Sequence, residues 1–509
     1  MRHRVVVADR VAVLFTLLAL AGAWPSTLEA QGLPRTLTLD EALELAETTS
    51  ERVAVAEAGV ARADAVRALV RSELFPQLFG SASYDRTLRS EFEGLFETDS
   101  EPGGGDGGGG DGGGDLDFSN LPFGQANVYR IGLSFSQLLF AGGRVRAQAS
   151  QAAVRRVSAG LALSSARAQS TLDVAEAFYD AALADRLVAI AEDTYAQADR
   201  SLKVTEEQRA AGRLSEFELL RARVARDSLR PSVVRAQNAR DLAYLRFKQL
   251  IDLPLEIELR LAADLDAPAI SPPARFAGRL VEAEQPAPPA RLAVAQVQNE
   301  VLAADADISI ARAERWPAIA LRSDFGLVDY PASLPDFDDW RQNWIVGVAM
   351  SVPIFTGGRI KANEALARAA ADEARATLRL TQELDALDRA STRSEVEAAR
   401  AEWEASLSTI EQAQRAYEIA ELRYREGLST QLELSDARLQ LAQSQATRAE
   451  AARTLQVRRI RLALLPELPL AAPSASAVQN VATGNDAQTQ VRTPAVPAQG
   501  SVAGVTGGR

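Results

Sequence analysis

Two short stretches of this 509-residue sequence repeat one another: Phe-Ala-Gly-Gly-Arg at residues 140–144 and Phe-Thr-Gly-Gly-Arg at residues 355–359. Their glycines are separated by 215 positions. The same separation relates two later segments, because Gly212 precedes a Phe-Glu-Leu run just as Gly427 precedes a Leu-Glu-Leu run. Agreement in both spacing and residue type predicts a tandem duplication.

A second shared motif marks the point where each half changes from helix to strand. It reads Arg-Ser-Glu-Leu-Phe-Pro at residues 71–76 and Arg-Ala-Glu-Arg-Trp-Pro at residues 312–317. Beyond it, apolar residues alternate with small or polar ones, which predicts strands with one apolar face. These apolar residues are Tyr129, Ile131, Leu133 and Phe135, then Trp344, Val346, Val348, Met350 and Val352. On pattern alone, strands that face lipid and strands of a half-buried soluble sheet fit equally well.

Long helices are predicted on both sides of these strands. A capping-box pattern at residues 38–41 opens the first helix, which is expected to run to about Ser72. From residue 144 to residue 211 no proline interrupts the chain, and a helix of that length measures about 100 Å. Gly212 and Gly427 suit the left-handed conformation that ends helices, so we expect two long antiparallel hairpins. Large apolar residues at every seventh position predict a buried seam rather than a cofactor site; they are Val396, Trp403, Ile410, Tyr417 and Tyr424.

The composition argues against an enzyme. The chain has no cysteine and a single histidine, His3, so thiolate or imidazole zinc sites and Ser-His-Asp chemistry are not expected. Carboxylates number 68 against 56 cations, and a net charge of −12 has the wrong sign for a general nucleic-acid binder. A hydrolase built on a carboxylate pair is the enzymatic alternative, but no isolated acid pair is evident. We predict no catalytic residues, no metal, no cofactor and no nucleic-acid partner.

The sequence divides into five predicted segments. Residues 1–30 carry a charged start, an apolar run of about 13 residues and small residues before a cleavage point, which is typical of a secretory signal rather than a membrane anchor. The first repeat covers residues 36–265 and the second covers residues 290–466. A proline-rich linker at 266–289 joins them, and a tail at 470–509 has the composition of a disordered segment.

Each repeat is expected to hold a strand pair followed by a helical hairpin. The strand pairs are predicted at 74–140 and 316–354, and the hairpins at 144–250 and 359–464. A loop rich in glycine and aspartate occupies residues 86–125 between the first two strands. Because its aspartates fit neither the EF-hand nor the nonapeptide calcium spacing, we predict a hydrated loop rather than a calcium site.

This order of elements resembles the TolC family of outer-membrane efflux and secretion channels, over roughly residues 36–466. The Phe-x-Gly-Gly-Arg pairs, the Arg-x-x-x-Phe/Trp-Pro motifs and the glycine turns followed by acidic residues carry the resemblance. It implies a mainly α fold with membrane β-strands, in which each of three protomers gives four strands to a 12-stranded outer-membrane β-barrel. The long hairpins would continue as an α-helical tunnel across the periplasm. The implied partners are two further copies, a periplasmic adaptor, an inner-membrane pump and outer-membrane lipid.

The resemblance also assigns roles to residues. The adaptor-contacting turns would be Gly212, Arg213, Leu214 and Ser215, with Gly427, Leu428, Ser429 and Thr430. Glu433 and Asp436 fall where the family has inward-facing acids at the periplasmic entrance, and Tyr424 falls where a residue helps to hold the closed state. Solvated charges on a helix surface are the alternative interpretation of the two acids. Ser429 stands where the family has a gate arginine. The strand-to-helix motifs are Gly142, Gly143, Arg144, Gly357, Gly358 and Arg359.

The expected function is therefore a passive exit duct of a tripartite efflux or type I secretion system. A structural or adhesive coiled-coil protein of the envelope, without a pore, is the main alternative. It explains the helices but not the repeated strands. A periplasmic adaptor is a further alternative, although an adaptor normally has one helical hairpin where this sequence predicts two.

Overall fold

The structure, a computed structural model, describes residues 35–88, 127–267, 270–283, 285, 289–331 and 340–470. Several predicted segments lie outside these residues. They are the secretory signal at 1–30, all but the first residues of the loop at 86–125, and the tail beyond Leu470. Part of the proline-rich linker at 266–289 also lies outside them.

The described residues form mainly helices, as predicted. The helices are α1 (Leu39–Thr49), α2 (Glu51–Ser72), α3 (Arg144–Ala210), α4 (Glu216–Asp227), α5 (Arg230–Leu250), α6 (Ala274–Ala283), α7 (Leu292–Ala313), α8 (Arg359–Arg425) and α9 (Gln431–Leu464). The strands are β1 (Arg35–Leu37), β2 (Gln77–Arg86), β3 (Asn127–Ala141), β4 (Leu259–Leu261), β5 (Ala318–Asp329) and β6 (Arg341–Ser351). The two longest helices, α3 and α8, have 67 residues each and begin 215 positions apart, as a duplication requires.

The chain separates into two units. The first contains the segment up to Thr49, Asp173–Ser271 and Glu402–Val457. The second contains Ser50–Leu172, Pro272–Ala401 and the segment from Arg458 onward. Helices α3, α8 and α9 have residues in both units.

The second unit contains a four-stranded antiparallel sheet in the order β2-β3-β5-β6. Its register places Leu133 opposite Phe325, which in turn lies opposite Trp344. Successive side chains of a strand point to opposite faces, so the apolar positions of three strands share one face. The adjacent row on the other face consists of Ser81, Gly132, Gly326 and Asn343. The alternation predicted for β3 and β6 is confirmed by this register.

The first predicted helix begins where expected but is divided into two helices. Its start is confirmed, because the Thr38 backbone N–H donates to Glu41 Oε2 at 2.9 Å and the Glu41 N–H donates to Thr38 Oγ1 at 3.3 Å. The prediction of one helix to Ser72 is wrong. Ser50 has an extended backbone, with φ of −65° and ψ of 113°, and separates α1 from α2. The Ser50 side chain does not cap α2; its Oγ instead accepts a hydrogen bond from Ser170 Oγ at 3.1 Å.

The returning arm of the first hairpin is also divided. Helix α4 ends at Asp227, and α5 begins at Arg230 with Pro231 in its first turn. Proline has no backbone N–H and clashes with the preceding turn, so it is tolerated at a helix start but not inside a helix. The corresponding position of the second half is Ala446, and α9 runs through it without a break.

Two structural features of the units were not predicted. In the first unit, β1 pairs with β4 in parallel, and Leu37 at the centre of this pairing is completely buried. In the second unit, the guanidinium of Arg291 is 1% exposed, lies 2.6 Å from Asp388 and donates to the backbone oxygen of Pro469 at 2.9 Å. Both features join segments that are far apart in sequence.

No helix within the described ranges is both long enough and apolar enough to cross a bilayer.

Candidate functional site

The two glycine turns of the first unit have the same backbone geometry. Gly212 and Gly427 have φ of 77° and 73°, in the left-handed region. At each turn the glycine N–H donates three residues back, to Arg209 and Tyr424, and the next N–H donates five residues back. This double bond pattern is the Schellman helix ending, which satisfies carbonyl oxygens that the helix itself leaves unpaired.

The helix that follows each turn also begins in the same way. Ser215 Oγ accepts the Glu218 N–H at 3.4 Å, and Thr430 Oγ1 accepts the Glu433 N–H at 3.3 Å. These are N-cap bonds, which fix the first turn of α4 and α9. Each helix thus ends at a left-handed glycine, and the next helix begins three residues later with a capping serine or threonine. The result is a tight, well-defined turn. Leu428 is 69% exposed at the second turn, whereas Leu214 is half-buried at the first.

The apolar residues beside the turns repeat between the halves. Beside the first turn, Leu202, Leu219 and Ala222 pack together. Beside the second, Tyr417, Leu434 and the partly buried Ala437 occupy the corresponding positions, together with Tyr424 and Leu441. The cluster of Tyr417, Tyr424, Leu434 and Leu441, hereafter the tyrosine cluster, has no equally large counterpart. The position equivalent to Tyr424 is Arg209 and the one equivalent to Leu441 is Arg226.

Polar contacts of the tyrosine cluster connect α8 and α9 to α3. The Tyr424 hydroxyl lies 2.6 Å from Thr205 Oγ1. Because the Thr205 hydroxyl donates to Ser201 O at 2.8 Å, Tyr424 is the donor in this pair. Nearby, Ser201 Oγ donates to Gln431 Oε1 at 3.2 Å. Gln208 Nε2 donates to the backbone oxygen of Arg425 at 3.0 Å.

A buried arginine lies against the same cluster. Arg438 is 2% exposed, and burial lowers the pKa of its guanidinium while Tyr417 and Glu421 raise it. Its Nε and Nη2 have no hydrogen-bond partner. Burial also raises the pKa of Tyr417 and of Tyr424 above the ordinary tyrosine value. Both phenols are therefore neutral, and hydrogen-bonding, at physiological pH.

The two predicted gate acids lie on the exposed side of α9. Glu433 and Asp436 are exposed, three residues apart on one face, while Leu434 between them is buried. Across the chain that the structure describes, neither carboxylate has an ion-pair partner. The first half differs, because Glu218 and Arg221 occupy the equivalent positions and pair at 3.8 Å. Only the second turn therefore carries an unneutralised pair of acids.

The strand-to-helix motifs lie in the second unit and also match each other. Gly142 and Gly143 have φ of 62° and 84°, and Gly357 and Gly358 have φ of 60° and 88°. The arginine that follows each glycine pair contacts the glutamate of the strand-entry motif. Arg144 lies 3.8 Å from Glu73, and Arg359 lies 2.8 Å from Glu314. The glycines allow the sharp change of direction from strand to helix, and the ion pair connects the two ends of the strand pair.

Several contacts of this site were not predicted from the sequence. Thr205, Ser201 and Gln431 bind across helices that are more than 200 positions apart, and nothing in the seven-residue repeat indicates their partners. The burial of Arg438 was not predicted because arginine side chains are rarely buried. Its counterpart, Arg223, is half exposed and pairs with Glu206 at 3.3 Å. Among the described residues, no group of three histidine, aspartate or glutamate side chains is arranged to hold a metal ion.

The architecture of a duplicated helical hairpin with a four-stranded sheet is that of outer-membrane channels. The chain is similar to a membrane protein from Pseudomonas aeruginosa, with 21% identity and a TM-score of 0.66, over 84% of this chain and 90% of that one. It is similar to the outer membrane protein VceC from Vibrio cholerae, with 20% identity and a TM-score of 0.65, over 84% and 95%. It is also similar to the open state of the MtrE outer membrane channel of Neisseria gonorrhoeae, with 19% identity and a TM-score of 0.65, over 85% and 89%.

Sequence comparison gives the family directly. Residues 42–252 and 288–465 match the family described as outer membrane efflux protein. No curated protein matches the chain significantly in sequence. Because the family match covers well over half of the residues, the chain belongs to the outer membrane efflux protein family. Its location is accordingly the outer membrane, and it is not an enzyme.

Proposed function

We propose that three copies of this chain form a duct through the outer membrane along which substrates leave passively. The observation that carries this proposal is the two-faced sheet of β2, β3, β5 and β6. Its apolar face exposes Trp344 and Val348 at 72% and 67%. The other face is mostly small or polar, with Phe79 and Ile345 as its exposed apolar side chains. A wall between lipid and a water-filled lumen requires this arrangement.

The edges of the sheet support assembly from several copies. Strands β2 and β6 lie at its two edges, and within the described ranges neither pairs with a further strand. Unpaired backbone donors and acceptors facing lipid are costly, so a membrane sheet must close. Four strands are fewer than the roughly eight of the smallest barrels. We therefore propose that the edges pair between copies, and the family resemblance supports three copies.

The repeats at 36–265 and 290–466 would each supply two strands and one hairpin to the duct. We propose that the turns at Gly212 and Gly427 contact a periplasmic adaptor, which connects the duct to an energised inner-membrane pump. Their rigid helix endings and the exposed side chain of Leu428 support this assignment, because a fixed apolar residue on a tight turn makes an efficient contact point. The system would be a tripartite efflux or type I secretion system.

We further propose that the tyrosine cluster and the two acids control the periplasmic entrance. The bond between Tyr424 and Thr205 would hold α8 against α3 when the duct is closed. Glu433 and Asp436, repeated around a three-fold axis, would form a ring of unpaired carboxylates. Like charges around a narrow lumen concentrate ions of the opposite sign, so the ring would favour cations.

Single-channel recording in planar bilayers tests the proposed function. The purified full chain should produce discrete conductance steps with a preference for cations, and heat-denatured protein should produce none. A structural coiled-coil protein of the envelope would leave the bilayer resistance unchanged, and that result would reject the duct.

A further inference from the structure

We propose that the second unit carries a binding site for the phosphate group of an anionic phospholipid, formed by Arg312, Arg315 and Arg368. This inference rests on the proposed function, because it requires the four strands to cross the membrane. It assigns a ligand to side chains that neither the duct nor its gate uses.

The three arginines surround one buried carboxylate. Glu364 Oε1 accepts from Arg312 Nε at 3.0 Å and from Arg368 Nη2 at 2.5 Å, and Glu364 Oε2 accepts from Arg315. The Glu364 side chain is 4% exposed, whereas those of the three arginines are 53–56% exposed. One carboxylate neutralises one of the three guanidinium charges. Each guanidinium has five N–H donors, so most donors of the cluster remain directed at solvent.

The surrounding segments add to the positive charge. Residues 312–316 and 359–368 together contain five cations and two carboxylates. One of those carboxylates, Glu314, pairs with Arg359 at 2.8 Å. The chain as a whole has a net charge of −12, so this local excess of cations is not a general property of the surface. A phosphate, which arginine binds through two parallel hydrogen bonds, matches it in sign and geometry.

The position of the cluster indicates a lipid headgroup as the source of the phosphate. Arg315 is followed by Trp316 and then by strand β5, and β6 leads through Ile354 and Phe355 into α8, which carries Glu364 and Arg368. Trp316 is 60% exposed, Ile354 95% and Phe355 91%. Exposed aromatic residues at the ends of membrane strands mark the boundary between bilayer and water. Arginines beside them lie at the depth of lipid headgroups, where cations attract anionic lipid.

The first repeat provides an internal comparison. The positions corresponding to Arg315, Glu364 and Arg368 are Leu74, Ala149 and Ala153. Both halves therefore have an ion pair at this junction, Glu73–Arg144 in the first and Glu314–Arg359 in the second. Only the second half has the arginine cluster. The strand-to-helix junction therefore does not require the cluster, because the first half forms the same glycine turn and ion pair without it.

Native mass spectrometry of the full chain in detergent tests the inference, with phosphatidylglycerol and phosphatidylcholine added in equal amounts. The wild type should retain phosphatidylglycerol preferentially. The double variant Arg315→Gln/Arg368→Gln should lose that preference by roughly tenfold, since each interfacial cation contributes a few-fold to binding of anionic lipid. Arg375→Gln is the matched control, because Arg375 already pairs with Asp305 and Asp372, and it should retain the preference. If the double variant does not assemble, the single variant Arg368→Gln replaces it in the same measurement, with a smaller expected loss of the preference for phosphatidylglycerol.

An unchanged preference in correctly assembled Arg315→Gln/Arg368→Gln protein would overturn the inference, as would an equal loss in Arg375→Gln. Conductance measured on the same samples separates the two proposals. Normal conductance with no phospholipid preference rejects only the lipid site, whereas absent conductance in the wild type rejects the duct.

Discussion

The hydroxyl of Tyr424 lies 2.6 Å from Thr205 Oγ1, and this bond joins the long helices of the two repeats immediately before their turns. Replacing Tyr424 with Phe keeps the buried ring but removes the bond, whose net contribution is about 1 kcal/mol. If the bond holds the entrance closed, Tyr424→Phe should raise the basal conductance of the channel in planar bilayers about fivefold.

Thr205→Val should also raise the basal conductance, because it removes the hydroxyl that Tyr424 binds. The backbone oxygen of Ser201 remains free to bind elsewhere. The double variant should add little to either single change, since both break one bond. Fully additive effects of the two substitutions would show that Tyr424 and Thr205 act independently.

The loss of folding stability at alkaline pH should depend on Tyr424. Burial is the main cause that raises the pKa of its phenol above the ordinary tyrosine value of 10.0, the charge of Glu218 also raises it, and the charge of Arg438 lowers it. An unfolded tyrosine ionises near pH 10, but the folded one resists ionisation. The stabilising contribution is therefore complete below pH 10 and is lost as the pH rises through the higher folded value. Thermal unfolding should show a steeper loss of stability above pH 10 in the wild type than in Tyr424→Phe, and identical slopes would contradict the burial of this phenol.

Neutralising the two exposed acids of α9 should change ion selectivity. Glu433→Gln/Asp436→Asn should reduce the preference for cations and weaken block by multivalent cations, because the proposed ring loses its charge. Reversal potentials in a salt gradient measure the preference. Glu218→Gln is the matched control, since Glu218 occupies the equivalent position in the first repeat and already pairs with Arg221. Unaltered selectivity in the double variant would leave Glu433 and Asp436 as solvated surface charges.

A charge at the tip of the second turn should disconnect the duct from its adaptor. Leu428 is 69% exposed, so Leu428→Asp should cost the isolated protein less than about 0.5 kcal/mol of stability. Export should nevertheless be lost while assembled channels remain in the membrane. Leu428→Met should retain export because it preserves the apolar contact. Leu214→Asp tests the first turn in the same assay, and survival of export in both aspartate variants would remove the docking assignment.

The two glycine pairs should differ in their tolerance of alanine. Gly142 and Gly357 have nearly equal φ, so alanine strains the backbone at both by about 1–2 kcal/mol. At Gly142 a Cβ would also lie 2.6 Å from Trp316 Cβ and 2.7 Å from Ala313 O, whereas at Gly357 it would have no neighbour within 4 Å. Gly142→Ala should therefore lower the unfolding temperature clearly more than Gly357→Ala. Equal losses would mean that the contact with Trp316 does not restrict this position.

Local chemistry accounts for what the sequence predicted well. The capping box at Thr38, the alternation in β3 and the glycines at 212 and 427 act within a few residues, so their signals are visible in any short window. The duplication strengthened the last two signals, since the strand alternation and the glycine turns each occur in both halves. The break at Ser50 was missed because a single serine inside a helical pattern is a weak signal compared with proline.

Long-range contacts account for what the sequence did not reveal. The pairing of β1 with β4, the burial of Arg291 and the bond between Tyr424 and Thr205 join residues that only the folded chain brings together. The repeat itself gave a partial hint, because the seven-residue seam has Tyr424 in one half and the exposed Arg209 in the other. That difference indicates asymmetry near the turns but does not identify the partner of Tyr424.

Electron microscopy of the purified full chain in detergent tests the central claim most directly, because a duct requires copies to share their strand edges. We expect particles with three-fold symmetry and a central lumen that continues through a detergent belt. Single chains, or assemblies without a lumen, would contradict this claim, since the unpaired edges of β2 and β6 would then have no partner in the membrane.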